Sequence, residues 1–289
     1  MKYQATQLMV HFDDIELMLL NNRPAENFLE LTPTEVNYLL YDTFGEKSPL
    51  QFRNDLDDNT LNQIPLFCIA EEYLKILQRD KQIKLTPLGA LPRKIIVELY
   101  NKRILLDEHI ERGISKLWKE QDCISIMNAR YVTEFAGLAR KTNGKVALTK
   151  KGAKLLQVGN RIQLFKLFFQ AFTEKFQWSS NDGYPTAPIG QLGWAFSIFM
   201  LMKFGDNANT ANFYAEKYLK AFPNFIDLFE YRFSTPEEQF AHCYGIRTFI
   251  RFLLWFGLVT VEQQTHYLDL DTDKFTRTEI ANKIFTFEE

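Results

Sequence analysis

Six cationic side chains stand close together without an intervening acid: Arg140, Lys141, Lys145, Lys150, Lys151 and Lys154. Lys and Arg in such a cluster are the residue types that contact the phosphates of a nucleic acid. On the helix predicted just before the cluster, Asn128 and Arg130 suit base edges, whereas Glu134 would repel phosphates. The sequence therefore predicts backbone contacts with DNA or RNA that have weak sequence specificity. A lysine-rich solvated face is the alternative interpretation.

The distribution of charge along the chain favours a basic interaction segment. The formal net charge of the whole chain is only −2. Residues 1–74 nevertheless carry a net −9, residues 75–166 a net +12 and residues 167–289 a net −5. A near-neutral total thus conceals a basic middle third, which indicates either polyanion contacts or mutual neutralisation in the folded state.

Other candidate chemistry is weak. His242 and Cys243 are adjacent, and neighbouring positions on a helix point about 100° apart, which favours a packed interior position over a nucleophile and its base. Asp269, Asp271 and Asp273 begin like a calcium loop, but the Gly and Glu required later are missing, so we interpret them as solvated acids on a strand. No cofactor, metal, catalytic or small-molecule site is predicted, and an enzyme is the least supported class.

A loop at residues 183–194 offers a second kind of function. It carries Tyr184, Ile189 and Trp194 with no charge after Asp182. Such a loop suits docking of a protein partner or of a second copy of the chain, while folding onto its own core is the alternative. A protein-interaction scaffold or homo-oligomer is therefore the rival to nucleic-acid binding.

The elements that must position these residues are helices and small hairpins. Asn143-Gly144 predicts a two-residue turn between short strands, Gly137 ends the preceding helix, and Thr149 caps the following one. This order is typical of a winged helix, and it recurs in weaker form around residues 84–89 and 258–285. In the C-terminal repeat the predicted strands are 258–261 and 267–270.

We predict a mainly α protein with small β-hairpins, in which tandem winged-helix-like units surround an aromatic-rich helical core. Its predicted parts are a helical region at 1–60, basic winged-helix-like units at 61–158, the aromatic core at 159–236 and a C-terminal winged-helix-like unit at 237–289.

Two resemblances accompany these patterns. The segment from Gly137 to Leu156 resembles the wing of bacterial winged-helix regulators such as the multiple-antibiotic-resistance repressors. Nearly the whole chain is similar to a family of uncharacterised bacterial proteins, through motifs at residues 31–35, 64–66, 85–92, 148–152, 182–184 and 213–218. Some relatives carry the region beside a plasmid-type open-reading-frame domain or a cysteine-rich metal module, neither of which is visible here. The resemblance implies domain unity and brings no activity.

Composition indicates the compartment. No apolar run reaches the length of a membrane span, and no segment of signal-peptide type opens the sequence. The three cysteines, Cys68, Cys123 and Cys243, are far apart and odd in number, which argues against a disulfide framework or a structural zinc site. We expect a reduced, cytoplasmic protein without a membrane partner.

Overall fold

The computed structural model describes residues 16–180, 182–231, 233–264 and 268–287. Within them the protein is mainly helical with small antiparallel sheets, as the sequence predicts. Residues 16–21 are helical. The α-helices that follow are α1 Pro33–Tyr41, α2 Asp58–Leu61, α3 Pro65–Asp80, α4 Arg93–Tyr100, α5 Glu108–Glu111, α6 Ile124–Phe135, α7 Lys150–Leu155, α8 Arg161–Gln170, α9 Trp194–Phe204, α10 Ala211–Ala221, α11 Pro236–Tyr244 and α12 Glu279–Ile284. Helices α8 and α11 continue as π-helical segments, Ala171–Lys175 and Gly245–Leu254.

In the described residues the strands form three small sheets. They are β1 Leu50–Phe52, β2 Gln82–Lys84, β3 Ala139–Thr142, β4 Lys145–Leu148, β5 Asn209–Thr210, β6 Val259–Glu262, β7 Lys274–Arg277 and β8 Phe285–Phe287. Strand order is β2-β4-β3 in one sheet and β5-β7-β6 in another, while β1 pairs with β8. All these pairings are antiparallel.

The helix starts follow the local sequence. Thr32 and Thr235 each open a capping box in which the threonine side chain accepts a backbone N–H and a glutamate three residues later accepts the threonine N–H. Proline follows each threonine, where its missing N–H costs nothing. Each capping box opens a helix, Pro33–Tyr41 and Pro236–Tyr244.

Two parts of the chain build the same unit. Gly137 and Gly257 each follow a helix with positive φ, 72° and 69°, and each is followed by the first strand of a hairpin. After the hairpin, Thr149 Oγ1 donates to the Gly137 carbonyl at 2.8 Å and Thr278 Oγ1 donates to the Gly257 carbonyl at 2.6 Å. In both units an earlier strand then adds to the hairpin to give the same strand order.

The aromatic core joins these units. Phe169 lies at its centre, with ring centroids 5.2 Å from Trp194, 5.2 Å from Phe256 and 5.5 Å from Phe285. Each such ring pair stabilises the fold by about 0.5–1.5 kcal/mol in addition to the gain from burying the rings. The phenylalanines of residues 165–176 are buried, as an aromatic-rich core requires.

Three expectations about the units need correction. Residues 84–89 do not form a separate helix–hairpin–helix unit, because Lys84 belongs to β2, which pairs with β4. The second strand of the C-terminal hairpin is β7 at 274–277; of the predicted strand 267–270, residues 268–270 are irregular and Tyr267 lies outside the described residues. The third strand of that sheet is β5, which comes from the segment 159–236 assigned to the aromatic core.

Among the described residues, no helix combines the length and apolarity that crossing a bilayer requires.

Candidate nucleic-acid interface

The β3–β4 hairpin turns as its sequence predicts. Asn143 and Gly144 have φ of 49° and 71°, the two positive values that a tight type I′ turn needs. Ala139 pairs with Leu148 and Thr142 with Lys145, so the register leaves only the Asn-Gly pair in the turn. The turn geometry therefore fixes which face each side chain of the hairpin takes.

We call the side chains of Arg140, Lys141, Lys145, Lys150, Lys151 and Lys154 the basic hairpin surface. All six residues are exposed. Within the described part of the chain, none of them forms an ion pair with a carboxylate. Because no acid lies between them in sequence either, the surface is a field of uncompensated positive charge.

The outer face of the sheet concentrates this charge. Alternation along the strands places Arg140 and Lys145 on the face opposite the buried Val146. With Lys150 they line a shallow depression of about 550 Å³ that contains no acidic residue. Lys84 of β2 pairs directly with Lys145, and like charges in that relationship are destabilising unless an anion lies over them. Lys84 is thus a further basic residue of this face that the sequence reasoning missed.

Lys141 and Lys151 extend the surface around the edges of the hairpin. Lys141 shares the inner face with Val146 but remains exposed, and its ammonium lies so near Gly89 that a Cβ there would come within 2.6 Å of it. The Lys151 ammonium donates to the Ala136 carbonyl at 3.4 Å. The cations therefore occupy several sides of the hairpin.

The face of α6 expected to contact bases is buried. Asn128, Arg130 and Thr133 are at most 2% exposed, because α6 packs against α3, α4 and the π-helical end of α8. The prediction that these side chains lie on the surface is wrong, and Asn128 and Arg130 do not reach a nucleic acid in this conformation. Instead, Tyr131 and Phe135 are partly exposed on the other side of α6.

Arg130 is committed to carboxylates. Its Nε donates to Glu120 Oε1 at 2.6 Å and its second terminal nitrogen to Glu120 Oε2 at 3.1 Å, while the remaining nitrogen donates to Glu134 at 2.8 Å. Burial by itself lowers the pKa of Arg130, but the hydrogen bonds and charge of Glu120 outweigh it and raise the pKa above its usual value. The guanidinium therefore stays charged inside the protein and acts structurally.

The partner loop is also less exposed than expected. Ile189 and Trp194 are 0% and 4% exposed, so neither is a surface contact, and their assignment to a docking surface is wrong. Tyr184 is half-buried, and its hydroxyl lies 2.6 Å from His242 Nδ1. The loop folds onto its own core because Arg247 donates to Asp182 at 2.6 Å and to the carbonyls of residues 185 and 187.

The remaining candidates take structural positions. Cys243 is fully buried while His242 is exposed and faces Tyr184, so the two do not form a nucleophile–base pair. Asp273 is also buried rather than solvated; its carboxylate accepts the N–H groups of Gln264 at 2.8 Å and Asp269 at 2.7 Å. In the part of the chain that the structure describes, no group of three or more His, Cys, Asp or Glu side chains is arranged to hold a metal ion.

The second hairpin has the same architecture with different charges. At the position equivalent to Lys145, Lys274 pairs with Glu262 on one side and Thr210 on the other. Lys145 has Thr142 and Lys84 in the corresponding places. The lack of compensating acid in the first hairpin is therefore not a requirement of the fold.

The comparisons with known proteins give a match only for the first of the two units, the one that contains the β3–β4 hairpin. Residues 62–161, a little over a third of the chain, match the model of an uncharacterised family described as the Y4jL N-terminal domain. This segment contains α3 to α7 and the whole basic hairpin surface. No curated protein and no solved structure matches the chain.

Proposed function

We propose that the protein binds nucleic acid through the sugar–phosphate backbone, using the basic hairpin surface together with Lys84. The observation that carries this proposal is the cross-strand pair Lys84–Lys145; in the equivalent sheet, Lys274 has Thr210 and Glu262 as its cross-strand neighbours instead. A polyanion lying over the first hairpin would relieve the repulsion and release counterions.

The topology supports the assignment to a winged-helix class. Helix α3, strand β2, helices α4 and α6 and the β3–β4 hairpin follow one another in winged-helix order, and β2 completes the sheet beside β4. The second unit repeats this order with α9, β5, α10, α11 and the β6–β7 hairpin. In this class the hairpin is the wing, which is a usual place for phosphate contacts.

The mode of binding follows from the burial of α6. A helix that reads sequence must place side chains in the major groove, and Asn128, Arg130 and Thr133 face inward instead. The proposed contacts are therefore electrostatic and shape-directed, with little dependence on sequence.

A salt titration tests the proposal. If about four cations engage duplex phosphates, log K falls against log salt with a slope of roughly −3.6, since each contact contributes about −0.9. The double variant Lys145→Glu and Lys150→Glu removes two of these contacts and should reduce the slope by about half, weakening all duplex sequences alike. Binding is measured on mixed-sequence duplex DNA, single-stranded DNA and RNA.

A matched control separates a local effect from a change in total charge. Lys175 and Lys220 are exposed and lie outside the first unit, so Lys175→Glu with Lys220→Glu makes the same charge change elsewhere. This control should keep most of the wild-type affinity. No binding at ~50 mM salt, where screening is weak, would overturn the proposal and leave the protein-interaction alternative. Equal losses in the two double variants would show that the basic hairpin surface is not the contact.

A further inference from the structure

We infer that Trp118 is a stacking platform for one base of a single-stranded nucleic acid whose phosphates lie on the basic hairpin surface. The inference rests on the proposed function and adds to it a substrate preference. Trp118 is 60% exposed, and it is the only tryptophan of the basic segment 75–166.

Hydrogen bonds fix the backbone that carries this exposed ring, and a guanidinium lies over one face of the ring. The backbone N–H of Trp118 donates to Asp122 Oδ2 at 2.8 Å, and the backbone N–H of Lys119 donates to the same oxygen at 2.9 Å. Arg93 Nε donates to the Leu117 carbonyl at 3.0 Å, and its guanidinium carbon lies 4.6 Å from the centre of the Trp118 ring. An exposed aromatic side chain fixed in this way loses little conformational entropy when a flat ligand stacks on it.

The surroundings of the ring suit a nucleotide. Trp118 lines a concavity of about 380 Å³ together with Arg93, Lys116 and Asn101, and no acidic residue lines it. Stacking on an aromatic ring is tolerant of base identity because every base has a π-face, and nearby Arg and Lys side chains bind the phosphate. The concavity therefore suits a base together with its phosphate.

A buried network places this site beside the hairpin. Glu120, two residues after Trp118, accepts the N–H of Leu91 at 2.9 Å as well as the guanidinium of Arg130. Leu91 lies between Arg93 and Gly89, and a Cβ at Gly89 would come within 2.6 Å of the Lys141 ammonium. Gly89 and Arg93 are four residues apart, a length of chain that spans at most about 14 Å. A nucleic-acid strand that crosses the hairpin therefore reaches the ring of Trp118 within a few nucleotides. Arg130 thus contributes to the structure that joins the two places without contacting the ligand.

Single-stranded oligonucleotide binding by wild type and Trp118→Ala tests the inference. The probes are a thymidine oligonucleotide of about 20 residues, a mixed duplex of the same length, and thymidine monophosphate. We expect Trp118→Ala to lower the affinity for the oligonucleotide about 5- to 150-fold, which is the range for the loss of one base stack. The affinity for the duplex should stay nearly unchanged. Trp118→Phe should restore most of the loss because it keeps an aromatic face.

Fluorescence supplies a second readout. Trp178 and Trp194 are buried, and Trp255 is half-buried, so quenching by the oligonucleotide should come mainly from Trp118 and disappear in Trp118→Phe. Phe233→Ala removes an even more exposed aromatic ring elsewhere and should change neither signal.

The outcomes separate this inference from the proposed function. Unchanged oligonucleotide affinity and quenching in the Trp118 variants, with weakened binding in Lys145→Glu and Lys150→Glu, would overturn the stacking site alone. Absence of binding by every nucleic acid would overturn both. Thymidine monophosphate binding as tightly as the oligonucleotide would overturn the strand as the ligand and point to a free nucleotide.

Discussion

Arg130 and Glu120 form a two-pronged ion pair in which both side chains are only 1% exposed. The pair ties the interior of α6 to the segment that carries Trp118, and through Glu120 to the Leu91 N–H. A polar pair in this position couples the helical core of the first unit to the surface where we place ligand contacts.

Removing one member of this pair should destabilise the protein strongly. Arg130→Met leaves the Glu120 carboxylate buried without its cation, and we expect the free energy of unfolding to fall by about 3–5 kcal/mol. Urea denaturation followed by circular dichroism measures it. Arg140→Met removes an exposed cation and should stay within about 0.5 kcal/mol of wild type; similar losses in both variants would contradict the structural role of Arg130.

Thr149 should stabilise the junction between the hairpin and α7. Its hydroxyl donates to the Gly137 carbonyl and accepts the Gly152 N–H at 3.0 Å. Thr149→Val loses both bonds, and we expect a cost of about 0.5–2 kcal/mol together with faster hydrogen exchange at the Gly152 amide. Thr142→Val, on the exposed part of β3, is the control. Unaltered exchange at Gly152 would show that the cap contributes nothing.

Ile189 should behave as a core residue rather than as a docking contact. Ile189→Lys introduces an unpaired charge at a fully buried position, and we expect a loss on the order of 3 kcal/mol or more. Tyr184→Ala removes a half-buried ring and its contact with His242 and should cost only about 1 kcal/mol. Thermal melting compares the two variants. A folded Ile189→Lys protein with altered self-association would instead return this loop to the interaction hypothesis.

Stability should decline in alkaline solution. Burial raises the pKa of Cys243 from 9.0 to about 12, and burial likewise raises the pKa of Tyr214 from 10.0 to about 12. Between pH 9 and 12 the unfolded chain releases these protons while the folded chain retains them, so the free energy of unfolding falls as pH rises. Urea denaturation at pH 7.5, 9 and 11 measures the change. A constant stability over this range would contradict the burial of these groups.

Local signals explain what the sequence predicts well. The turn at Asn143-Gly144, the cap at Thr149 and the helix end at Gly137 depend on the conformations of a few consecutive residues. The exposed cations of the hairpin follow from the same local order, since strand alternation and the turn set their directions.

Long-range partners explain what the sequence did not predict. An arginine such as Arg130 is expected on the surface because its side chain is charged. In the fold, the Glu120 carboxylate pairs with it inside the protein. The sequence did not predict the strand at 274–277, because the loop before it is longer than expected. Asp273 closes that loop, since its buried carboxylate accepts the backbone N–H groups of Gln264 and Asp269. Lys84 could have been noticed as part of a strand that pairs with the hairpin, and Trp118 as the only tryptophan of the basic segment. Only the fold brings the two residues near the hairpin.

The pairing of β1 with β8 gives the folding pathway a late step. Leu50 meets Phe287 and Phe52 meets Phe285, so almost the whole described chain must be synthesised before β1 can find its partner. Loop-closure entropy makes such a contact slow to form. Until it forms, Phe52 lacks the ring of Phe285 that stacks on it, and during translation this edge is where a nascent chain would be most open to aggregation or chaperone capture.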